Sequence, residues 1–255
     1  MRVIVLAAAA AVLLAGCQNP EPAAPAAPQG MTVAAAVADP ARAADVPLDA
    51  RRMPAELVAL TTVKPGDKVA DLIPGNGYFS RIFAKVVGPQ GKVYLVWPDA
   101  YRKVSATDYG LSEALARSPA YGNLMVLNQP AAAFSAPEPL DVVFTSQNYH
   151  DYPDAFMGKL DPVALNRQVF AALKPGGVYV VVDHAAAAGS GLRDVDTLHR
   201  IDPETVKQQV TAAGFVLDGE SEALANPADD HSLPVFDDKV RRHTDRFALR
   251  FRKPG

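Results

Sequence analysis

Apolar residues recur along this chain in two rhythms. Short near-continuous runs appear at 68–73, 93–97, 124–127, 140–145 and 178–182, the pattern of strands buried on both faces. Between them lie segments of helical period. In 78–87, Phe79, Ile82, Phe83 and Val86 share one face, and 54–62, 106–117, 162–173 and 203–213 also read as helices. Punctuation falls where these elements must stop: Lys64-Pro65-Gly66-Asp67, Gly91-Lys92, Lys174-Pro175-Gly176-Gly177 and Gly214. A further strand starts at Phe215, and 246–251 closes the chain. Strands alternating with helices predict a doubly wound α/β fold around a mostly parallel, seven-stranded sheet. Right-handed crossovers then gather the loops that follow the strands along one edge, where sites form in such folds.

The first residues obey a different rule. Met1-Arg2 is followed by an apolar run from Val3 to Gly16, shorter than the roughly 20 residues that span a bilayer. Basic start, apolar core and small residues before a cut site predict a signal peptide over 1–16. Leu14-Ala15-Gly16-Cys17 resembles a bacterial lipobox, which implies a diacylated Cys17. It is the chain's single cysteine, so no internal disulfide can form. Gln18 rather than Asp after it favours an outer-membrane lipoprotein of the cell envelope facing the periplasm. Residues 18–50 hold six Pro and twelve Ala with no sustained apolar period, so 17–50 reads as a tether and 51–255 as the globular domain. The net charge is −3, and no basic stripe recommends nucleic acid. Membrane contact is expected through the anchor only, and no protein partner is evident. The late arginines Arg241, Arg242, Arg246, Arg250 and Arg252 read as a solvated face.

Val69-Ala70-Asp71-Leu72-Ile73-Pro74-Gly75-Asn76-Gly77-Tyr78-Phe79-Ser80 places glycines between the first strand and the next helix. There the backbone can approach a ligand without a Cβ in the way. The stretch resembles motif I of class I S-adenosylmethionine-dependent methyltransferases. Gly91 to Trp97, Asp141 to Phe144 and Leu173 to Val178 agree in order with later strands of that superfamily. Asn148-Tyr149-His150-Asp151, Asp183-His184, Leu198-His199-Arg200-Ile201 and Thr244-Asp245-Arg246-Phe247 are similar to a group of bacterial predicted methyltransferases. The resemblance implies S-adenosylmethionine as cofactor, held by Asp71, Gly75, Asn76, Gly77, Trp97, Asp99 and Asn128. Three positions depart from the family pattern. Ile73 stands for the first glycine, Trp97 for the acidic residue after the second strand, and Asn128 for an acidic residue after the third. Asp99 lies two residues beyond Trp97 as a substitute acid. Trp97 itself suits either core packing or a wall for an adenine ring.

Five histidines, His150, His184, His199, His231 and His243, all fall outside the expected strands and helices. His150 follows the fourth strand and His184 the fifth; with His199 they should share the sheet edge. A general base needs a pKa near the working pH and direct reach to the proton, which makes His150 and His184 the candidates. Asp151 or Asp183 would orient a ring, and a cross-pair of His150 with Asp183 is expected because adjacent side chains often diverge. The resemblance implies substrate-facing positions at Asn148 and Tyr149. His199, Arg200 and His231 complete the expected substrate contacts, Arg200 holding either an anionic substrate or a structural carboxylate. The polar connection 222–245 is long enough to fold back as a lid. No compact metal motif is present, so no metal site is assigned; nucleophile-elbow, phosphate-loop and Gly-x-Gly-x-x-Gly motifs are also missing. The implied activity is methyl transfer to a small molecule or envelope component. The rivals are a non-catalytic envelope binding protein and a metal-dependent enzyme on the same scaffold.

Overall fold

The computed structural model describes residues 29–255. The signal segment and Cys17 lie outside them. Seven strands form one sheet: β1 (Lys68–Leu72), β2 (Lys92–Pro98), β3 (Leu124–Gln129), β4 (Leu140–Ser146), β5 (Leu173–His184), β6 (Val216–Ser221) and β7 (Arg246–Arg252), in the order β3-β2-β1-β4-β5-β7-β6. All neighbours are parallel except β7, which runs antiparallel to both β5 and β6. The order reverses beside β1, between β2 and β4, so a crevice opens at the carboxyl ends of β1 and β4.

Helices cover both faces. On one, α3 (Pro54–Leu60) and α4 (Tyr78–Val87) bury Leu57, Val58, Phe79, Ile82 and Phe83. The Phe79 and Phe83 rings lie 4.8 and 5.3 Å from that of Phe144 in β4. On the other, α7 (Pro162–Ala172) and α9 (Pro203–Thr211) bury Leu165, Val169, Val206 and Val210. Both start with a proline in the first turn behind an aspartate cap, Asp161 or Asp202, whose carboxylate accepts a backbone N–H. Beyond β2 come α5 (Asp99–Val104) and α6 (Ala106–Ala116), and α8 (Val195–Leu198) follows β5.

Two segments differ from the sequence expectation. The Lys174-Pro175-Gly176-Gly177 turn is absorbed into β5, where pairing jumps from Leu140–Leu173 to Val142–Val178. The extra residues form a bulge in which Gly176 takes a left-handed φ of 77°. The stretch read as a tether is helical from Val33: α1 (Val33–Val37) and α2 (Val46–Arg52) pack on the domain. Ala36 is fully buried among α3 and α4 residues, and Arg42 is 1% exposed, paired with Asp49 at 2.8 Å. Helices of five and seven residues are too short to show an apolar period, which is why composition alone suggested a tether. Among the described residues, no helix is long and apolar enough to cross a membrane.

Candidate functional site

The motif loop after β1 has the expected backbone. Gly75 and Gly77 both adopt positive φ, 58° and 82°, and Asp71 lies fully buried beneath them, accepting from Ser80 Oγ at 2.6 Å. Ile73 also sits at φ 53°, a conformation a β-branched side chain resists. It is held there by Ile73 N–H donating to Val96 O at 2.9 Å and by Asn148 Nδ2 donating to the carbonyls of Ile73 (3.0 Å) and Leu72 (3.3 Å).

Residues of α6 pack against one side of this loop. Trp97 is fully buried, in an edge contact with Tyr109 of α6 at 5.6 Å between ring centroids. Its indole N–H has no partner among the described residues. Ser112 Oγ donates to Gly75 O at 2.7 Å. A Cβ built on Gly77 would stand 2.4 Å from Leu115 Cδ2, so α6 lies directly on the glycine. Asn128, opposite Trp97 across the β2–β3 pairing, donates to Trp97 O and accepts from Arg102 once its amide is oriented by its neighbours. Asp99 opens α5 beyond β2, and Asn76 borders a separate cavity with Arg81 and Leu115.

A cavity of about 410 Å³ lies instead at the ends of β4 and β5, lined by Tyr101, Phe156, Val235, Phe236, Gln147, His150, Asp151, His184 and His199, with Val104 at its rim. The one-turn 3-10 segment Tyr149–Asp151 positions His150. Its Nδ1 lies 2.8 Å from Asp183 Oδ1, and its backbone N–H donates to Asp183 Oδ2 at 2.8 Å. Asp183 is the penultimate residue of β5 and is fully buried. His150 Nε2 faces Asp151 Oδ1 at 3.3 Å. Burial opposes charge on this ring, but Asp183 and then Asp151 more than offset it and raise its pKa above the ordinary value. His184, the last residue of β5, places Nδ1 2.7 Å from Thr244 Oγ1. Burial, then the neighbouring His150, Arg246 and Arg200, push its pKa well down, which favours the neutral ring. Tyr101 faces the carboxylates: burial, then Asp151, holds its hydroxyl well above the phenol range.

A second cavity of about 240 Å³ adjoins the first and shares Gln147, His184, Val235 and Phe236 with it. Its other walls carry Arg51, Arg52, Arg241, Arg242 and Arg246. None of these five arginines forms a salt bridge among the described residues. Arg246 Nη2 donates to Arg51 O at 2.8 Å, while its buried Nε has no partner among the described residues. Burial first, then the nearby Arg52 and Arg51, lower the Arg246 pKa to about 10.

The structure therefore brings together His150, Asp151, Asp183, His184 and His199, and employs other expected contacts elsewhere. His184 ends a strand and His150 lies in a helical turn, rather than in irregular loops. Asn148 locks β4 to the motif loop, with Thr145 Oγ1 donating to its Oδ1. Tyr149 is fully buried on the α7 and α9 side, bonded to Asn166 and Gln209. Arg200 has no exposed surface; it pairs with Asp229 and donates to the carbonyls of Ala185 and Leu233. That is the structural carboxylate alternative. His231 is tied to Asp245 at 2.9 Å. Arg250 and Arg252 clamp Asp218, so the late arginines divide between a strand clamp and a cavity wall. The segment 222–245 does fold back, its Val235 and Phe236 closing both cavities. Arg51, Arg52, Gln147 and Phe156 gave no sequence signal, because single residues far apart in the chain carry no motif.

No protein-family model matches the sequence, and no curated protein matches it either. Solved structures do. The chain is similar to a methyltransferase dependent on S-adenosylmethionine from Aquifex aeolicus, at 17% identity and TM-score 0.55 over 84% of this chain and 98% of that one. It is similar to the N-methyltransferase NodS from Bradyrhizobium japonicum, at 16% identity and TM-score 0.57 over 83% and 99%. The cyclase SpnF matches at 16% identity and TM-score 0.59 over 80% and 81%. The fold is that of the class I S-adenosylmethionine-dependent methyltransferases. A methyltransferase fold does not by itself define the reaction, since a cyclase shares it.

The strand order is that of this fold, but the residues around the loop after β1 do not fit the cofactor in this conformation. The Leu115 side chain is packed against Gly77, and none of the cavities described above is lined by Gly75, Gly77 or Trp97. With Trp97 fully buried beside Tyr101 of α5 and Tyr109 of α6, a ligand can meet its indole N–H only if the packing around it opens.

Proposed function

We propose that this protein is an enzyme acting on a small anionic molecule, with His184 as proton acceptor, in the paired cavities at the ends of β4 and β5. The observation that carries this reading is the place of His184, which borders both the aromatic histidine cavity and the arginine cavity. With the ring proton on Nδ1 and donated to Thr244 Oγ1, Nε2 is the basic atom, and a base must be within reach and unprotonated to act. Arginines without carboxylate partners supply planar donors suited to a carboxylate, sulfate or phosphate group. Such an anion would hold the substrate beside His184, and Tyr101, Phe156 and Phe236 would cover its apolar part.

The expected result is stabilisation of the protein by inorganic phosphate or sulfate, read as a rise in melting temperature that saturates with concentration. Arg246→Ala should abolish the rise, whereas Arg117→Ala, a distant surface change, should leave it intact. An equal response in both variants would remove the anion site and with it this reading.

The fold favours a second reading, S-adenosylmethionine-dependent methyl transfer to a small molecule or envelope component. Calorimetric titration with S-adenosylmethionine separates the two. Micromolar binding would support methyl transfer over acid–base chemistry alone. Absence of binding at millimolar concentration would leave acid–base chemistry at His184 without that donor.

A further inference from the structure

His184 does not account for the other half of the histidine cavity. Resting on the reading of this cavity as the functional site, we infer that His150, Asp151 and His199 form a three-ligand site for a divalent transition-metal ion. One ligand atom from each lies within 4.8 Å of the other two. His150 Nε2 is 3.3 Å from Asp151 Oδ1, and His199 Nδ1 is 3.9 Å from that same oxygen. Tetrahedral zinc with bonds of 2.0–2.1 Å holds its donors about 3.3 Å apart. The three atoms are thus at that spacing or one modest side-chain adjustment from it.

The hydrogen bonding favours a cation at this point. Asp183 accepts from His150 Nδ1, which fixes the proton of a neutral ring on that side. Nε2 then presents a lone pair to Asp151 Oδ1 at 3.3 Å, an acceptor against an acceptor, with both residues buried. A proton on Nε2 would relieve that one contact. An ion would relieve it and also explain why His199 Nδ1 converges on the same carboxylate oxygen. The Asp183–His150 pair then has the form of the carboxylate–histidine arrangement that orients metal ligands.

His199 is placed with backbone strain. It caps α8 in the left-handed region at φ 53°, where non-glycine residues are uncommon. Its neighbours enforce this. Arg200 is locked on Asp229, and Ile201 N–H donates to His184 O at 3.0 Å while its side chain is fully buried. The ring that results leans on Phe236, with centroids 4.9 Å apart, at the cavity wall. Two imidazoles and one carboxylate, with an open side toward the cavity, suit zinc, iron(II) or manganese(II).

The test uses the full chain, stripped with chelator and titrated with zinc chloride. Metal content is read by elemental analysis, affinity by competition with a chromophoric chelator, and folding by circular dichroism. About one zinc per chain, bound at micromolar concentration or tighter, is expected. His199→Ala, which removes a partly exposed ring, should lose zinc while keeping the fold. Asp183→Asn should bind about 10- to 100-fold more weakly, and His184→Ala should bind as wild type. The proposal is overturned if the wild-type chain takes up none of zinc, iron(II) and manganese(II). Unchanged stoichiometric binding in both His199→Ala and Asp151→Asn overturns it equally. These readouts are independent of the anion response that tests the cavity reading. Loss of metal binding with the Arg246-dependent anion response intact removes the ion alone.

Discussion

Asp71 shows how far one residue of a familiar motif can be tuned by its surroundings. Burial raises its carboxyl pKa from 3.8 to about 7, against the lowering effects of Ser80 and Arg52. Below pH 3.8 the group is protonated in folded and unfolded chains alike. As pH rises from there toward 7, the unfolded chain gives up the proton and the folded chain keeps it. Stability from this group is therefore full in acid and lost as pH rises, by about 4 kcal/mol in all. Asp71→Asn should flatten that slope and be the more stable protein above pH 7. Urea unfolding of both proteins from pH 4 to 8 measures it, and parallel curves would contradict the assignment. At the same scale, His150 and His184 lie with ring centroids 6.1 Å apart and have opposite pKa shifts. Two carboxylates flank the first, and cations the second. Apart from Asp151 these partners are distant in sequence, so the sequence could name both histidines as candidate bases but not distinguish their states. Its expectation that His150 pairs with Asp183 rested on a simple consideration, that adjacent side chains often diverge.

At the scale of elements, the helices before β1 are part of the folded body. Arg42 joins them to it: its guanidinium meets Asp45 and Asp49 and lies 5.1 Å from the Tyr78 ring centroid. Removing a fully buried charge leaves its carboxylate partners uncompensated, a loss of about 3 kcal/mol. Arg42→Ala should show it as a lower urea midpoint with an unchanged slope; a change below about 0.5 kcal/mol would mean this segment is dispensable. The strands and long helices were legible because their apolar period is repeated over enough residues to be read. The bulge in β5 was not, since Lys174-Pro175-Gly176-Gly177 is a sound turn signal and only pairing with β4 and β7 draws it into a strand. Likewise α6 was predicted, yet nothing in its sequence announced that Leu115 and Ser112 would lie on the glycine loop.

For the whole molecule, the arrangement moves the accessible chemistry away from the motif loop to the neighbouring strand ends. The fold places both at one sheet edge, and the 222–245 segment closes only the second. Localisation is a separate matter that rests on the lipobox-like Leu14-Ala15-Gly16-Cys17 alone. If that reading holds, Cys17→Ser expressed in a Gram-negative host should shift the protein from the membrane to the soluble envelope fraction, detected by fractionation and loss of radiolabelled palmitate. An unlabelled wild-type chain would dispose of the anchor.

Sequence by itself determined the sheet, its covering helices, the turn after β1 and the gathering of three histidines at one edge. Those follow from local periodicity and the handedness of crossovers, which act over tens of residues. Only tertiary structure decided which side chains fill space and which face it. Packing buried Trp97 and laid α6 on Gly77, gave Arg200 to Asp229 and left five other arginines beside His184. The physical reason is that burial and ion pairing depend on residues brought together from distant parts of the chain, and no local pattern records those meetings.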